Sequence, residues 1–428
     1  MNRGASMTEA ASKPDEPRLR LRLTPRAETI VRSGHPWVFS DSVRSENRPG
    51  HTGELAVIFD RNDRFLAIGF YDADSPIRVR ILHAGKPVTL DAAWWTRRFE
   101  AALQRRQGLF GPETDGYRLI HGESDGFPGL VLDRYGAVAV LKVYSAAWLP
   151  RLPELVGTIR ENLAPGRLVL RLSRNIQAAA ERGWSRREGD LIGTGEGRAD
   201  TVLFREHGLV FEADVVHGQK TGFFLDQRDN RQRVGEIAEG RDVLNAFSFT
   251  GGFSVHAAKG GAARVTDLDI SRHALAGAAR NFALNASVPA VAAAAHEGIQ
   301  ADCFEWLARG PRREFDLIVV DPPSLARRES ERQGAIAAYR DLNASAIRRL
   351  RPGGVLVAAS CSAHVTEDEF FAAVREVAGR SGRSWTLLWS AGHPADHPAT
   401  FPEARYLKCL GLRFGRASDS PRRPRNSG

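Results

Sequence analysis

The sequence predicts a multi-domain chain of 428 residues that closes with an α/β domain built on a doubly wound parallel sheet. Three observations lead there. From residue 210 onward, strand-like and helix-like segments alternate along the chain. Two apolar runs, residues 315–320 and 354–359, read as buried parallel strands. Each run ends in reactive chemistry, Asp321-Pro322-Pro323 after the first and Ser360-Cys361-Ser362 after the second. In such sheets, ligands bind where the carboxyl ends of the strands open into a crevice. An acid stiffened by two prolines and a thiol would therefore emerge at one lip of one pocket.

The length exceeds one ordinary core, which sets the expectation at two or three domains. Lys and Arg number 60 against 51 Asp and Glu, a formal charge of +9 that favours a polyanionic partner, nucleic acid above all. Part of the excess is local, because residues 416–428 carry Arg416, Arg422, Arg423 and Arg425 and read as a disordered basic tail. Cys303, Cys361 and Cys409 form neither a disulfide framework nor a Cys-x-x-Cys pattern, and no metal is expected. Residues 1–17 read as a disordered polar leader without the apolar core of a signal peptide. No stretch approaches the roughly 18 apolar residues that span a bilayer. A soluble, cytoplasmic protein without membrane association is the expectation.

Residues 18–23 alternate Arg and Leu, a half-buried strand with one basic face. Strands follow at 34–39, 53–60, 65–71 and 77–82, separated by Gly, Asn and Asp turns, and predict a small β-barrel over 18–84. Trp37 and Phe39 read as its core. Residues 91–107 turn helical, with Trp94, Trp95, Phe99 and Leu103 on one face. Strands at 117–120, 129–133, 137–144 and 167–172, with a helix at 149–162, make 85–205 a central α+β domain. Gly-rich residues 188–197 precede no helix and read as a connector. The last domain, 206–415, has candidate strands at 242–244, 263–268, 315–320, 354–359 and 406–413.

Residues 242–253 read as strand, tight turn and helix start, with Gly251 and Gly252 letting the backbone approach a ligand. Asp269 ends the second strand, where an acid accepts the hydroxyls of an adenosine ribose. Asp302 lies where a third strand should end and could meet the adenine amino group. Either acid alone could equally be a helix N-cap; together they favour an adenosine cofactor. Nicotinamide and S-adenosylmethionine both suit that site. Asp321-Pro322-Pro323 separates them, since a base to be methylated must be clamped beside the sulfonium by rigid acceptors.

Residues 219–231, with Gln219-Lys220-Thr221-Gly222 and Gln227-Arg228-Asp229-Asn230-Arg231 at their ends, resemble a signature of the RlmI-like large-subunit ribosomal-RNA methyltransferases of bacteria. So do Asn245 to Phe253, Asp321-Pro322-Pro323, Ser360-Cys361-Ser362, Ala395-Asp396-His397-Pro398 and Tyr406-Leu407-Lys408. The resemblance covers about residues 18–414. It implies an N-terminal PUA-like RNA-binding barrel and a C-terminal Rossmann-like class I methyltransferase that uses S-adenosylmethionine. It also implies 23S ribosomal RNA or its precursor particle as partner and leaves a homodimer open. The implied cofactor residues are Asn245, Phe247, Phe249, Thr250, Gly251, Asp269, Ile270, Asp302, Cys303 and Asp321. The implied RNA residues are Arg32, His35, Lys220, Arg228, Pro322 and Pro323. Ser324 departs from the pattern, which usually carries Lys there.

Cys361 and Asp321 are the expected catalytic pair. A thiolate adding to C6 of a pyrimidine makes C5 nucleophilic, and Asp321 would hold N3 or the exocyclic amine, favouring 5-methylcytosine as product. Cys303 lies on an apolar helix and Cys409 in a closing strand, both packed residues. His364 reads as a solvated loop residue that could shuttle a proton. Two rivals remain: methylation of an exocyclic amine, guanine N2 or adenine N6, and an RNA-binding assembly factor with a vestigial pocket.

Overall fold

A computed structural model describes residues 17–192 and 200–415. The expected leader except Pro17, the basic tail and half of the Gly-rich connector lie outside the described residues. The chain forms two compact units. One holds the described residues up to Arg205 with Ala213–Leu225 and Ala395–Phe401; the other holds Glu206–Glu212, Asp226–Pro394 and the described residues from Pro402.

The first unit opens with six strands: β1 (Leu19–Leu23), β2 (Trp37–Phe39), β3 (Val43–Glu46), β4 (Leu55–Phe59), β5 (Phe65–Tyr71) and β6 (Ile77–Ala84). They pair in the order β2-β6-β5-β4-β1-β3. In β1 the leucines are buried and the arginines exposed, as the alternation predicts. A helix, Pro25–Arg32, follows β1; Thr24 caps it through Oγ1 and Pro25 fixes its first turn. Leu19, Leu21, Val31, Val38, Ile58 and Val79 make one core.

Trp37 and Phe39 are not in it. Phe39 is exposed, and Trp37 lies half-buried against Phe401, its indole Nε1 donating to Glu123 at 2.7 Å. Side chains alternate along a strand, and Val38, 1% exposed, takes the core-facing position, which leaves Trp37 and Phe39 on the opposite face.

A second sheet follows, β7 (Gly116–His121), β8 (Leu130–Tyr135), β9 (Val138–Val143) and β10 (Arg167–Leu172), in the order β10-β9-β8-β7. Ile68, Phe70 and Leu82, from β5 and β6, share one apolar cluster with Trp94, Trp95, Phe99, Leu132 and Trp148. Residues 18–84 and 85–205 thus share a core.

A two-stranded sheet of β11 (Thr201–Glu206) and β12 (Leu209–Asp214) precedes the larger sheet. The larger sheet comprises β13 (Asp242–Ala246), β14 (Arg264–Asp269), β15 (Ala295–Gln300), β16 (Phe315–Val320), β17 (Leu350–Ser360), β18 (Trp385–Ala391) and β19 (Lys408–Phe414). The order is β15-β14-β13-β16-β17-β19-β18. From β15 to β17 every pairing is parallel; β19 runs antiparallel to both its neighbours. Strand order reverses between β13 and β16, the switch point where ligands bind. Two edge strands, β15 and β18, escape a reading by apolar runs because most of their residues are exposed or half-exposed. Among the described residues, no helix is long and apolar enough to cross a membrane.

Candidate active site

β13 ends at Ala246, and the chain turns through Phe247 to Gly251 before the helix Gly252–Lys259. Phe247, Phe249 and Gly251 have φ of +60°, +48° and +72°. Left-handed backbone at two phenylalanines is strained by about 1 kcal/mol each. Surrounding bonds hold it. Phe247 N donates to Cys303 Sγ at 3.3 Å, Phe249 N to Asp269 Oδ2 at 2.9 Å, and Asn281 Nδ2 to Thr250 O at 2.8 Å. A Cβ at Gly251 would sit 2.8 Å from that of Ala278, so only glycine fits. Beneath the loop, Asn245 Nδ2 donates to Ser254 Oγ at 2.9 Å and Asp267 Oδ1 at 3.2 Å.

Asp269 accepts from Phe249 N and, through Oδ1, from Ser271 N at 2.8 Å. Ile270 beside it is 66% exposed. Asp302 is exposed and caps the helix Cys303–Arg309, accepting from Glu305 N at 2.9 Å. Cys303 is buried, donates to Leu268 O at 3.3 Å, and has its thiol pushed up to about 12 by burial. It is a neutral brace between strand end and loop.

On the other side of β13, Asp321 follows β16 and accepts through Oδ2 from Gln227 Nε2 at 2.9 Å. Pro322 is buried and Pro323 exposed. Cys361 follows β17, half-buried, its Sγ 3.9 Å from Pro322 O. The flanking serines are structural. Ser362 Oγ accepts from Leu325 N at 3.0 Å and Ala326 N at 3.3 Å and meets Tyr339 OH at 2.9 Å. Ser360 Oγ donates to the same Tyr339 oxygen at 2.8 Å. Ser324 Oγ lies in this seam, bonded to Ala326 O and 3.2 Å from Ser362 Oγ. The serine in place of a lysine thus helps lock the proline turn to the end of β17.

Lys408 stood in the sequence within Tyr406-Leu407-Lys408 but was given no role at the site. It opens β19 opposite Ser360, is 1% exposed, and donates from Nζ to Ser362 O. Burial pushes its ammonium down to about 8, while negative charge at Cys361 pulls the other way. The available signal was one Lys at the head of an apolar closing strand. Cys409 is fully buried, its thiol raised far above the ordinary range by that burial. His364 sits half-exposed 3.4 Å from Glu329.

The parallel strand ends thus bring the 247–251 loop, Asp269, Asp302, Cys303, Asp321, Pro322, Pro323 and Cys361 to one edge of one sheet. Four further residues are expected to meet RNA. Arg228 is 1% exposed and presents no open surface to RNA. Lys220, Arg32 and His35 belong to the other unit: Lys220 Nζ lies over the Phe224 ring, and Arg32 Nη2 bonds Asp60 Oδ2 at 2.6 Å. The His35 ring packs edge-on against Trp37 and Phe401.

Residues 192–413 match a family model described as S-adenosylmethionine-dependent methyltransferase, and residues 21–84 match one described as a PUA-like domain. A ribosomal RNA large subunit methyltransferase of Deinococcus radiodurans is 56% identical over 413 residues, covering 95% of this chain and all of its own. Ribosomal RNA large subunit methyltransferase I of Escherichia coli is 36% identical over 400 residues, covering 92% of this chain and 99% of its own. The chain belongs to the RlmI-like family of class I S-adenosylmethionine-dependent methyltransferases. A solved S-adenosylmethionine-dependent methyltransferase of Streptococcus mutans shares the fold at 23% identity, with a TM-score of 0.77 over 92% of this chain and 99% of that one.

The methyltransferase's own residues fit that cofactor. Asn245 Oδ1, Ser248 Oγ and Thr250 Oγ1 are buried without a protein partner, in and beneath a loop bent to let a ligand approach its main chain. Buried polar atoms left in this way are available to a bound ligand. Each Asp269 oxygen, although bonded once, keeps acceptor capacity for a ribose hydroxyl.

Proposed function

We propose that this methyltransferase acts on large-subunit ribosomal RNA and methylates C5 of a cytosine through a Cys361 adduct. One observation carries the reading. A half-exposed thiol stands at the end of β17, against the carbonyl of the proline turn that follows Asp321, on the edge that carries the cofactor loop. S-adenosylmethionine, when bound, supplies an electrophilic methyl group. Cys361 as thiolate adds to C6, and C5 then takes the methyl. Loss of the C5 proton to a base expels the thiolate and restores the ring. Asp321 holds the amino edge as charge builds on it. Lys408, cationic below about 8, supplies the positive setting that favours thiolate. Names of the relatives support the RNA substrate, and the PUA-like residues 21–84 support its capture.

Nucleoside mass spectrometry of ribosomal RNA from cells with and without the protein tests the product. The expected gain is one 5-methylcytidine. A gain of N2-methylguanosine or N6-methyladenosine would transfer the assignment to an exocyclic amine, which needs Asp321 and no thiol. RNA containing 5-fluorocytosine should trap the wild type covalently, because fluorine blocks the final elimination.

A further inference from the structure

Gln227, Asn230 and Arg233 are spaced three residues apart at the start of the helix Arg228–Glu236, one above the other on one face. Arg233 Nη1 bonds Asn230 Oδ1 at 3.2 Å, Asn230 Nδ2 bonds Gln227 Oε1 at 2.7 Å, and Gln227 Nε2 bonds Asp321 Oδ2 at 2.9 Å. Gln227 and Asn230 are 3% and 2% exposed, so solvent does not compete for these bonds.

The direction of the chain follows from its first member. A guanidinium only donates. Asn230 must turn its oxygen to Arg233 and therefore its amide nitrogen to Gln227. Gln227 must then accept with Oε1 and donate with Nε2. The last bond in the row therefore requires Asp321 to accept, as a carboxylate does. A flip of either amide would set donor against donor or acceptor against acceptor somewhere along the row.

We propose that Gln227 is a positioning residue whose amide, locked by Asn230 and Arg233, fixes Asp321 as an oriented, ionised acceptor for the donor edge of the target base. This deepens the function proposed above and rests only on Asp321 as the base-facing acid, which the cytosine and exocyclic-amine readings share. It assigns the conspicuous Gln-x-x-Asn spacing a task at the site and extends it to Arg233. The Tyr339 phenol and the Cys409 thiol sense the charge of Asp321, Cys361 acts on Tyr339 with it, and the Lys408 ammonium in turn senses Cys361. Gln227 bonds none of them, so a change there reaches them only through the charge of Asp321.

The test uses full-length protein, unmodified large-subunit ribosomal RNA transcript and saturating S-adenosylmethionine, with single-turnover rates from pH 5.5 to 9. Gln227→Leu removes the donor, so in the variant-to-wild-type rate ratio, which cancels the limb of the Cys361 thiol, an acidic limb should appear at higher pH, and the rate at pH 7 should fall roughly tenfold. Gln227→Glu sets carboxylate against carboxylate. Its rate should fall further at pH 8 and recover as pH drops and the pair shares one proton. Asn230→Ala frees the Gln227 amide to flip and should move the limb in the Leu direction by less. Its smaller disruption keeps the test decisive where a buried Glu unfolds the protein. Unchanged S-adenosylmethionine affinity in calorimetry confirms the fold. Folded variants whose rates fall without any movement of the acidic limb, or do not fall, overturn the inference. An active Asp321→Asn would instead sink the base-facing role of Asp321, and the two failures are distinct.

Discussion

The two sides of the crevice are built by different means. Around β13, β14 and β15 the site is shaped by main chain, and its thiol, Cys303, is sealed and neutral between Phe247 N and Leu268 O. Around β16 and β17 the site is a side-chain network, and its thiol, Cys361, is half-exposed with a buried ammonium nearby. Both cysteines stand just beyond the carboxyl ends of parallel strands, so strand position alone does not make a nucleophile. Burial and local charge separate them.

That contrast predicts the largest effect. Cys361→Ala should lower methyl transfer by at least about a thousandfold while S-adenosylmethionine and RNA still bind, since in the proposed reaction the thiolate acts only in the chemical step. Cys303→Ala should stay within about tenfold of wild type in rate and lose about 1 kcal/mol or more of stability for its vacated packing. Single-turnover kinetics and thermal unfolding measure the pair. A Cys361→Ala enzyme that remains active would erase the contrast.

On the cofactor side, Asp269→Ala should weaken S-adenosylmethionine binding by about 1.5–3 kcal/mol, the scale of a hydrogen bond to a charged group. It should also loosen the loop, because Phe249 N and Ser271 N lose their acceptor. Calorimetry reads the first effect. An unchanged affinity in a folded variant would leave Asp269 as a loop brace and nothing more.

Lys408 sharpens the comparison through pH. Its ammonium is held at about 8 against an ordinary 10.5, so between those values the unfolded chain binds more protons than the folded one. Stability therefore rises with pH across that window, and the burial cost is fully present below it. Lys408→Met should abolish the rise and leave the fold at least as stable at pH 7, as replacing a buried charge by an apolar group often does. Methyl transfer should nonetheless drop about tenfold at pH 7, one unit's worth of thiol ionisation. The deficit should shrink above pH 8, where the wild type loses the cation too. A deficit independent of pH would remove Lys408 from any role in the thiol's charge.

How much of this was legible in advance depended on where each signal lies. β16 and β17 are buried, so their apolar runs announced them, and the residues that follow stood out as motifs. Asp302 was readable both as ligand and as cap, and it does cap a helix. The edge strand β15 carries no such run, and in β18 Thr386 interrupts Trp385, Leu387, Leu388 and Trp389. Ile68, Phe70 and Leu82 lie in segments read only as barrel strands, and nothing local reveals that Trp95 and Trp148 share a core with them. Cutting the chain after residue 84 would therefore expose Phe70, Trp95 and Trp148, and such a truncation would report on folding before RNA. Gln227 was conspicuous as part of a long motif, yet its partner Asp321 is distant in sequence, and only the fold joins them.

The smallest expected effect probes the first unit without cutting it. Arg32 is half-exposed at the end of the helix Pro25–Arg32 and bonds Asp60, while Arg61 and Glu28 form a second pair beside it. Asp60 also accepts from Asn62 N and Arg64 N at 2.9 Å each, so it stays satisfied when Arg32 is removed. Arg32→Ala should therefore preserve the fold. If the Arg32 guanidinium neutralises one RNA phosphate, the slope of log affinity against log salt should become shallower by about 0.7–0.9, the release of one counterion. Binding isotherms on ribosomal RNA at several salt concentrations measure that slope. An unchanged slope would make Arg32 a structural partner of Asp60, and the basic alternation of β1, with Arg20 and Arg22 exposed, would be the next surface to test.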